Sequence, residues 1–463
     1  MLKLGLMLLW TLTGIVGGLA YSPFIPVLIY HFYSVLRPQF MWKYALDPFV
    51  PDDFPWSFLV AIAAIGTAVI WRCAFWVAPH RFRGVELPRL NIGHCCFAFF
   101  AFWITLSYLN AHNIDVAEPV YSDYKKIFLM FLITSLVMVN VRQAWVLLLA
   151  TALALGYVAY EINEIYFLNG QYNFIYKQGF CGLDNNGAAL LLSMGIPLCL
   201  FAWDGIRHWS RWLFPVLIAL TVHSIMLSQS RGAMLATLIV SPLYFLRVKR
   251  HKDLVVMAAL GLAALPVMAG KEIVERFSSI SEHEQDESAN SRKTTWAIAW
   301  RMAEEHPLLG LGVRNSPLYT FDYGADEEGR VIHSTYLQIA ADSGFVGLFG
   351  YASIIVSTLY CCRRVRHSIA GSVTTGAFFT AVGRFVTGDL WHLERTAGLR
   401  DRDADLAYTI ACGVEGSLLS FAFGCVFLSL ETFEPFYLIA GLGIQLWAII
   451  QVRLRPQAAV STG

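Results

Sequence analysis

Residues 212–246 read WLFPVLIALTVHSIMLSQSRGAMLATLIVSPLYFL, a mostly apolar run whose one formal charge is Arg231, near its centre. About 20 apolar residues cross a hydrocarbon core of about 30 Å, so the run makes two spans joined by the polar turn Ser228–Gly232. A guanidinium held at membrane depth costs at least about 2.5–3.5 kcal/mol on insertion scales unless it snorkels or meets an anion. The turn therefore lies at a membrane surface. Two readings of Arg231 stand side by side there: an interfacial arginine reaching water, or an anion-binding arginine at the level of lipid headgroups.

The same character extends in both directions. The 463 residues are 57% hydrophobic and only 14% charged, against about 45–50% and about 25% in soluble domains, and the mean hydropathy is +0.54. The shortage of charge runs the whole length, which implies an all-α polytopic membrane protein and excludes disorder, a coiled coil and a cytosolic multidomain enzyme. A net charge of +1 excludes a basic nucleic-acid footprint, so no nucleic acid is expected as a partner. The nine cysteines form no C-x-x-C and lie mainly in apolar runs, where they act as small hydrophobes. Residues 4–20 have the outline of a signal peptide, but apolar sequence follows at once, so a retained helix is expected.

Spans are expected near 4–30, 57–77, 93–109, 127–141, 143–160, 187–203, 212–227, 232–246, 254–270, 344–360, 406–428 and 432–450. The first is long for one helix and short for two, and Pro23 and Pro26 are placed to split it. Lys and Arg of short connections mark the cytoplasmic side. Arg81, Arg83, Arg89, Arg142, Arg207, Arg211, Arg247, Lys249, Arg250, Lys252, Arg363, Arg364 and Arg366 all fall on one side if 371–405 stays there too. About 12 transmembrane helices follow, with both termini inside. The chain divides into N-terminal helices (1–120), central helices (121–270), a large outward loop (271–343) and C-terminal helices (344–463), the last with an interfacial or cytoplasmic segment near 361–405. The acidic run Glu282, Glu284, Asp286, Glu287 reads as solvated loop surface.

A long loop in a compact bundle is usually functional. Within it, 292–304 has helical spacing with Trp296, Ile298, Ala299 and Met302 on one face, and Arg292 stands at its start. His306-Pro307-Leu308-Leu309-Gly310-Leu311-Gly312 stops that helix and calls for tight backbone. His333 ends the loop where a helix descends. On that helix Tyr336 and Leu337 would share its face and Asp342 would lie opposite, and Asp342-Ser343-Gly344 suits a local bend. A histidine titrates near neutrality and can take a proton from a hydroxyl, although one alone is more often structural. Asp184-Asn185-Asn186 opens a span, where capping and sugar binding are both open to it. Asp52-Asp53 is the acidic pair on the outer side that could hold a divalent ion, and Asp401, Asp403 and Asp405 fall inside. No H-x-x-x-H or H-E-x-x-H occurs, and no phosphate loop, so neither a metal nor a cofactor is expected.

In order, Ser228-x-Ser230-Arg231-Gly232, then Arg292-x-x-x-Trp296 with His306–Gly312, then His333-Ser334-x-Tyr336-Leu337-Gln338 resembles the O-antigen ligase and polymerase superfamily. Tyr124-Lys125-Lys126-Ile127 and Asp184-Asn185-Asn186 are similar to its exosortase A-associated O-glycosylation ligase branch. The resemblance implies a GT-C-type glycosyltransferase in a bacterial inner membrane, with its site facing the periplasm. It would move a glycan from undecaprenyl diphosphate to an acceptor hydroxyl on a lipid, protein or glycan, inverting and metal-independent. By the same resemblance Arg231 and Arg292 bind the diphosphate and His333 acts beside them, with Asp184, Asn185, Asn186, Ser230, Tyr336 and Lys125 as candidate substrate contacts. Gln338 offers His333 no acidic neighbour on the next turn. A glycan polymerase of the same superfamily differs mainly in its acceptor, whereas a lipid-linked glycan flippase would spread charge through the middle of several spans.

Overall fold

The computed structural model describes residues 2–43, 49–51, 54–78, 87–170, 173–268, 287–370 and 402–453. Among these the long helices are α1 (Leu2–Ala20), α2 (Phe24–Leu36), α3 (Trp56–Val77), α4 (Ile92–Leu109) and α5 (Ile114–Val137). They continue as α6 (Val141–Asn169), α7 (Asn185–Gly205), α8 (Leu213–Leu227), α9 (Arg231–Arg247) and α10 (His251–Met268). The set ends with α11 (Glu287–Glu305), α12 (Thr335–Ala370), α13 (Arg402–Gly424) and α14 (Glu434–Arg453). Among the described residues there is no strand beyond an isolated bridge between Phe180 and Leu183, and nine helices are long and apolar enough to cross a membrane. The chain is an all-α polytopic membrane protein. The end of the bundle at Arg142, Arg211 and Lys249 is called inner below, and the opposite end outer.

The core forms around α7, which is buried from Gly187 to Gly205 between α6, α8 and α13. Its sequence carries no charge between Asn186 and Asp204, so every face can be covered without desolvating an ion. A second focus is aromatic. Phe97 stacks on Phe131 with centroids 3.6 Å apart, and Phe100, Tyr124, Tyr351 and Tyr437 fill the space between α4, α5, α12 and α14. At the inner end Glu415 of α13 receives both Arg247 (2.8 Å) and Arg366 (2.9 Å). Asp403 pairs with Arg142 (3.6 Å) and Asp405 with Lys249, so these inner acids serve ion pairs between elements.

Several expectations change. Residues 4–30 are two helices, because the turn at Tyr21–Pro23 interrupts them and Pro23 precedes α2. The pair is antiparallel: Tyr33 Oη donates to the Met7 carbonyl (2.9 Å), and Trp10 stacks against Trp42 (6.0 Å). Lys3 reaches Glu161 of α6 at 3.2 Å. Glu161 lies about 30 Å along α6 from Val141 at about 1.5 Å per residue, so Lys3 is at the outer end. The expectation that both termini lie inside is therefore wrong, since one more crossing reverses the side.

The helix expected at 127–141 already starts at Ile114. Asn113 caps it by accepting the Asp115 and Val116 amides (3.1 and 3.3 Å), and Glu118, Asp123, Lys125 and Lys126 pair along its exposed side. Helix α6 continues past 160 to Asn169, where Gly170 closes it in the left-handed region (φ 65°). The acidic residues Glu282, Glu284 and Asp286, and residues 371–401, lie outside the described residues.

Candidate functional site

Two helices begin side by side at the outer end. Asp184 caps α7 by accepting the Gly187 amide (2.7 Å), and Asn185 donates its side-chain amide to the Ser228 carbonyl (3.1 Å). Asn186 donates to the Asn185 side-chain oxygen (3.2 Å). Ser228 Oγ donates to the Ile225 carbonyl (2.6 Å) and accepts the Ser230 amide (3.2 Å), while Gln229 takes a left-handed conformation (φ 55°). This tight turn makes Arg231 the first residue of α9, and the buried Ser230 precedes it without capping the helix. Each helix start carries roughly half a positive charge; Asp184 already caps α7, whereas α9 has no side-chain cap, so the start of α9 is the one suited to an anion.

The outward loop closes over that surface. Helix α11 lays Ile298, Ala299 and Met302 against Leu311, Ala325 and Ile332, a small core of its own. It starts at Glu287, so Arg292 lies in its second turn and not at its start. Thr295 Oγ donates to the Ile332 carbonyl (3.2 Å), which brings α11 to the residue before His333. Phe427 stands between α9 and α11: its ring is 6.1 Å from that of Trp296, and a Cβ on Gly232 would touch it at 3.8 Å.

His333 is half-buried and has φ 55°, so it precedes α12 and does not ride on it. The shared face with Tyr336 and Leu337 does not arise. Burial and then the Arg292 guanidinium push its imidazole below the ordinary pKa of 6.5, with Arg330 adding to this and Asp184 opposing it. The Asn185–Ser228 and Thr295–Ile332 hydrogen bonds and the place of Phe427 between Gly232 and Trp296 join the same elements. The Asp184–Asn186 cap, the 228–231 turn, α11 and His333 thus gather at one place.

The descent into α12 is built from two sequence motifs pressed backbone to backbone. The Leu311 and Gly312 amides donate to the Ala341 and Asp342 carbonyls (3.0 and 2.9 Å), and the Phe345 amide donates to the Pro307 carbonyl (2.8 Å). Gly310 (φ 66°) and Gly344 (φ 72°) sit where a side chain would collide with the Asp342 and Leu308 backbones. Gly344 breaks α12, so Thr335–Ser343 is a separate helical piece, as the expected bend at Asp342-Ser343-Gly344 requires. Asp342 accepts the Ser316 amide (2.8 Å) and the Gln338 side-chain amide (2.7 Å), so Gln338 serves this joint and not His333.

Residues 216–352 match a family model described as O-Antigen ligase. They form an O-antigen ligase-like domain. It runs from α8 into α12 and takes in the Ser228 turn, Arg231, Arg292, His333 and both halves of the backbone joint. No curated protein matches the chain. With the helices, the match supports a ligase- or polymerase-like membrane enzyme.

Of the remaining candidates, Tyr336 directs its hydroxyl to the Ala422 carbonyl of α13 (2.8 Å). Lys125 lies outside the ligase domain on α5, where it pairs with Glu118 (3.0 Å) and covers the Tyr121 ring. Asp52 and Asp53 lie outside the described residues. Among the described residues no three His, Cys, Asp or Glu side chains gather as they would around a metal ion.

Sequence reading missed Phe427, which looks like any apolar residue after a span, and Arg330, whose place three residues before His333 was a signal. It also missed the ion pair of Arg314 with Glu431 (2.5 Å), which fastens the ligase domain's loop to the α13–α14 connection.

Proposed function

We propose that the protein transfers a glycan from undecaprenyl diphosphate to an acceptor hydroxyl at the periplasmic face. The observation that carries this reading is that the start of α7, the turn before Arg231, helix α11 with Arg292, and the residue before His333 meet through the Asn185–Ser228 and Thr295–Ile332 hydrogen bonds and through Phe427. Breaking the bond from the anomeric carbon to the diphosphate oxygen adds a further negative charge to an already dianionic diphosphate, and that developing charge needs fixed positive partners. Arginine forks bind phosphate oxygens bidentately and stay ionised at every relevant pH. The uncapped start of α9 adds oriented amides, which cost no reorganisation as charge develops. The neutral imidazole of His333 takes the acceptor proton while the acceptor oxygen attacks the anomeric carbon with inversion. The arginines supply the charge compensation that a divalent ion would otherwise bring. Asn185, Asn186 and Ser230 line the diphosphate side. Asp184 holds the cap, and Lys125 and Tyr336 are candidates for more distant donor or acceptor contacts.

The test is turnover of a defined undecaprenyl-diphosphate glycan in nanodiscs with chelator present, scored as released undecaprenyl diphosphate and as a mass-shifted acceptor. Arg231→Ala and Arg292→Ala should each lower turnover by about 10²–10³, as loss of one preorganised donor does, and lysine at either position should rescue little. A lengthened glycan in place of a modified lipid or protein would assign the polymerase. Full turnover in both alanine variants and in His333→Ala would remove the site.

A further inference from the structure

The connection between α13 and α14 lies beyond the stretch that matches the family model, yet separate parts of that stretch meet on it. Gly424 ends α13 where a side chain would collide with Leu190, so the connection leaves from the flank of the core helix α7. The Val426 and Phe427 amides then donate back to the Phe423 and Gly424 carbonyls (3.2 and 3.0 Å). This tight turn brings the half-buried Phe427 ring within 6.1 Å of the Trp296 ring on α11 and beside Gly232 on α9.

Both neighbours adjoin an arginine. Gly232 directly follows Arg231, and Arg292 lies four residues before Trp296, on the same face of α11. The same connection grips the entry to α12. Thr335, fully buried and two residues after His333, donates its hydroxyl to the Leu428 carbonyl (2.6 Å) and accepts the Leu430 amide (3.0 Å). Its own amide donates to the Cys425 carbonyl (2.9 Å). Farther on, the Glu431 carbonyl accepts the Tyr437 hydroxyl of α14 (2.7 Å), which ties the connection to the core. Groups that act on developing charge need such support, because a displacement of about 1 Å can cost about 10² in rate.

We propose that the α13–α14 connection is a positioning element for the candidate site. The Phe427 ring spaces the helices that carry Arg231 and Arg292, and Thr335 fixes the backbone just beyond His333. The effect on turnover rests on the glycan-transfer reading, whereas the spacing exists without substrate.

Two measurements on the full chain in nanodiscs test this. Spin labels at Ala297→Cys and Leu235→Cys, both exposed positions, report the α9–α11 separation in a cysteine-free background. Phe427→Ala should shift or broaden that distance distribution, and Phe427→Leu should keep it near the parent's. With the undecaprenyl-diphosphate glycan, Phe427→Ala should lower kcat by about 10² and change the donor KM by less than about threefold, while leucine stays within about tenfold of the parent kcat. Thr335→Val should also lower kcat, and Thr335→Ser, which keeps the hydroxyl, should restore it. An unmoved distance distribution in Phe427→Ala would overturn the positioning role, as would full kcat in both Phe427→Ala and Thr335→Val. So would a loss confined to KM, which would make Phe427 a substrate contact. A shifted distance alongside a parent protein that transfers no glycan would strike the glycan-transfer reading alone. Thermal unfolding of each variant separates lost spacing from lost fold, and Phe427→Val stands in for an alanine variant that does not fold.

Discussion

At His333 the backbone itself is unusual. A non-glycine residue with φ 55° holds a conformation that costs about 1–3 kcal/mol and persists only where its surroundings enforce it. Here the Thr295–Ile332 hydrogen bond on one side and the Thr335 amide on the Cys425 carbonyl (2.9 Å) on the other provide that enforcement. Burial and Arg292 favour the uncharged ring, so a base form persists at neutral pH and is lost only as the pH falls below the ordinary 6.5. Turnover should therefore be flat through neutrality with a single acidic limb below about pH 6.5. Asp184→Asn removes the carboxylate that favours the imidazolium and keeps a capping side chain, so the limb should move to lower pH. A pH–rate profile checks this, and a limb that moves upward would contradict the placement of Asp184. At this scale Arg231, Arg292 and His333 could be singled out in the sequence only as a set, because each alone has a plain reading as an interfacial, solvated or structural side chain. Phe427 could not, because its role exists only once α9 and α11 approach each other.

At the scale of elements, the joint between Pro307–Gly312 and Asp342–Gly344 depends on two glycines with positive φ and no room for a side chain. Gly310→Ala or Gly344→Ala should destabilise the protein by about 1–3 kcal/mol through left-handed strain alone, with the backbone collision added. Gly261→Ala, in open space on α10, should be neutral or stabilising by up to about 1 kcal/mol. Thermal unfolding of the three variants in one detergent distinguishes them, and equal midpoints would show that the joint does not bear on stability. The sequence displayed these glycines as chain breakers, but not that the two motifs break against each other. Periodicity found most of the apolar helices. It missed the early start of α5, whose first turns are polar on one side and held by Asn113 rather than by hydrophobic spacing.

For the whole molecule, the decisive difference is the α1–α2 hairpin. Hydropathy alone reads 4–30 as one ambiguous run, because the interruption at Tyr21–Pro23 is only a few residues long. The polar evidence is remote in sequence: Lys3 and Trp42 both meet Glu161, at 3.2 and 3.1 Å. In a cysteine-free background, Leu2→Cys, which is exposed, should react with a membrane-impermeant maleimide added from outside intact spheroplasts. Arg142→Cys, also exposed, should react only after lysis. The reverse pattern would restore the arrangement with both termini inside.

The backbone joint also bears on how such a protein can diversify. It fastens the chain at Gly312, and the Thr295–Ile332 contact fastens it again before His333, so the lobe between them hangs from two fixed points. Its tip, Glu327–Gly329, is exposed. Residues there can be exchanged, lengthened or shortened without moving the two fixed points. On the proposed reading, a lineage with this architecture is free to rewrite the exposed lobe while the helix starts around it stay constant, a division of labour between neighbouring parts of one domain.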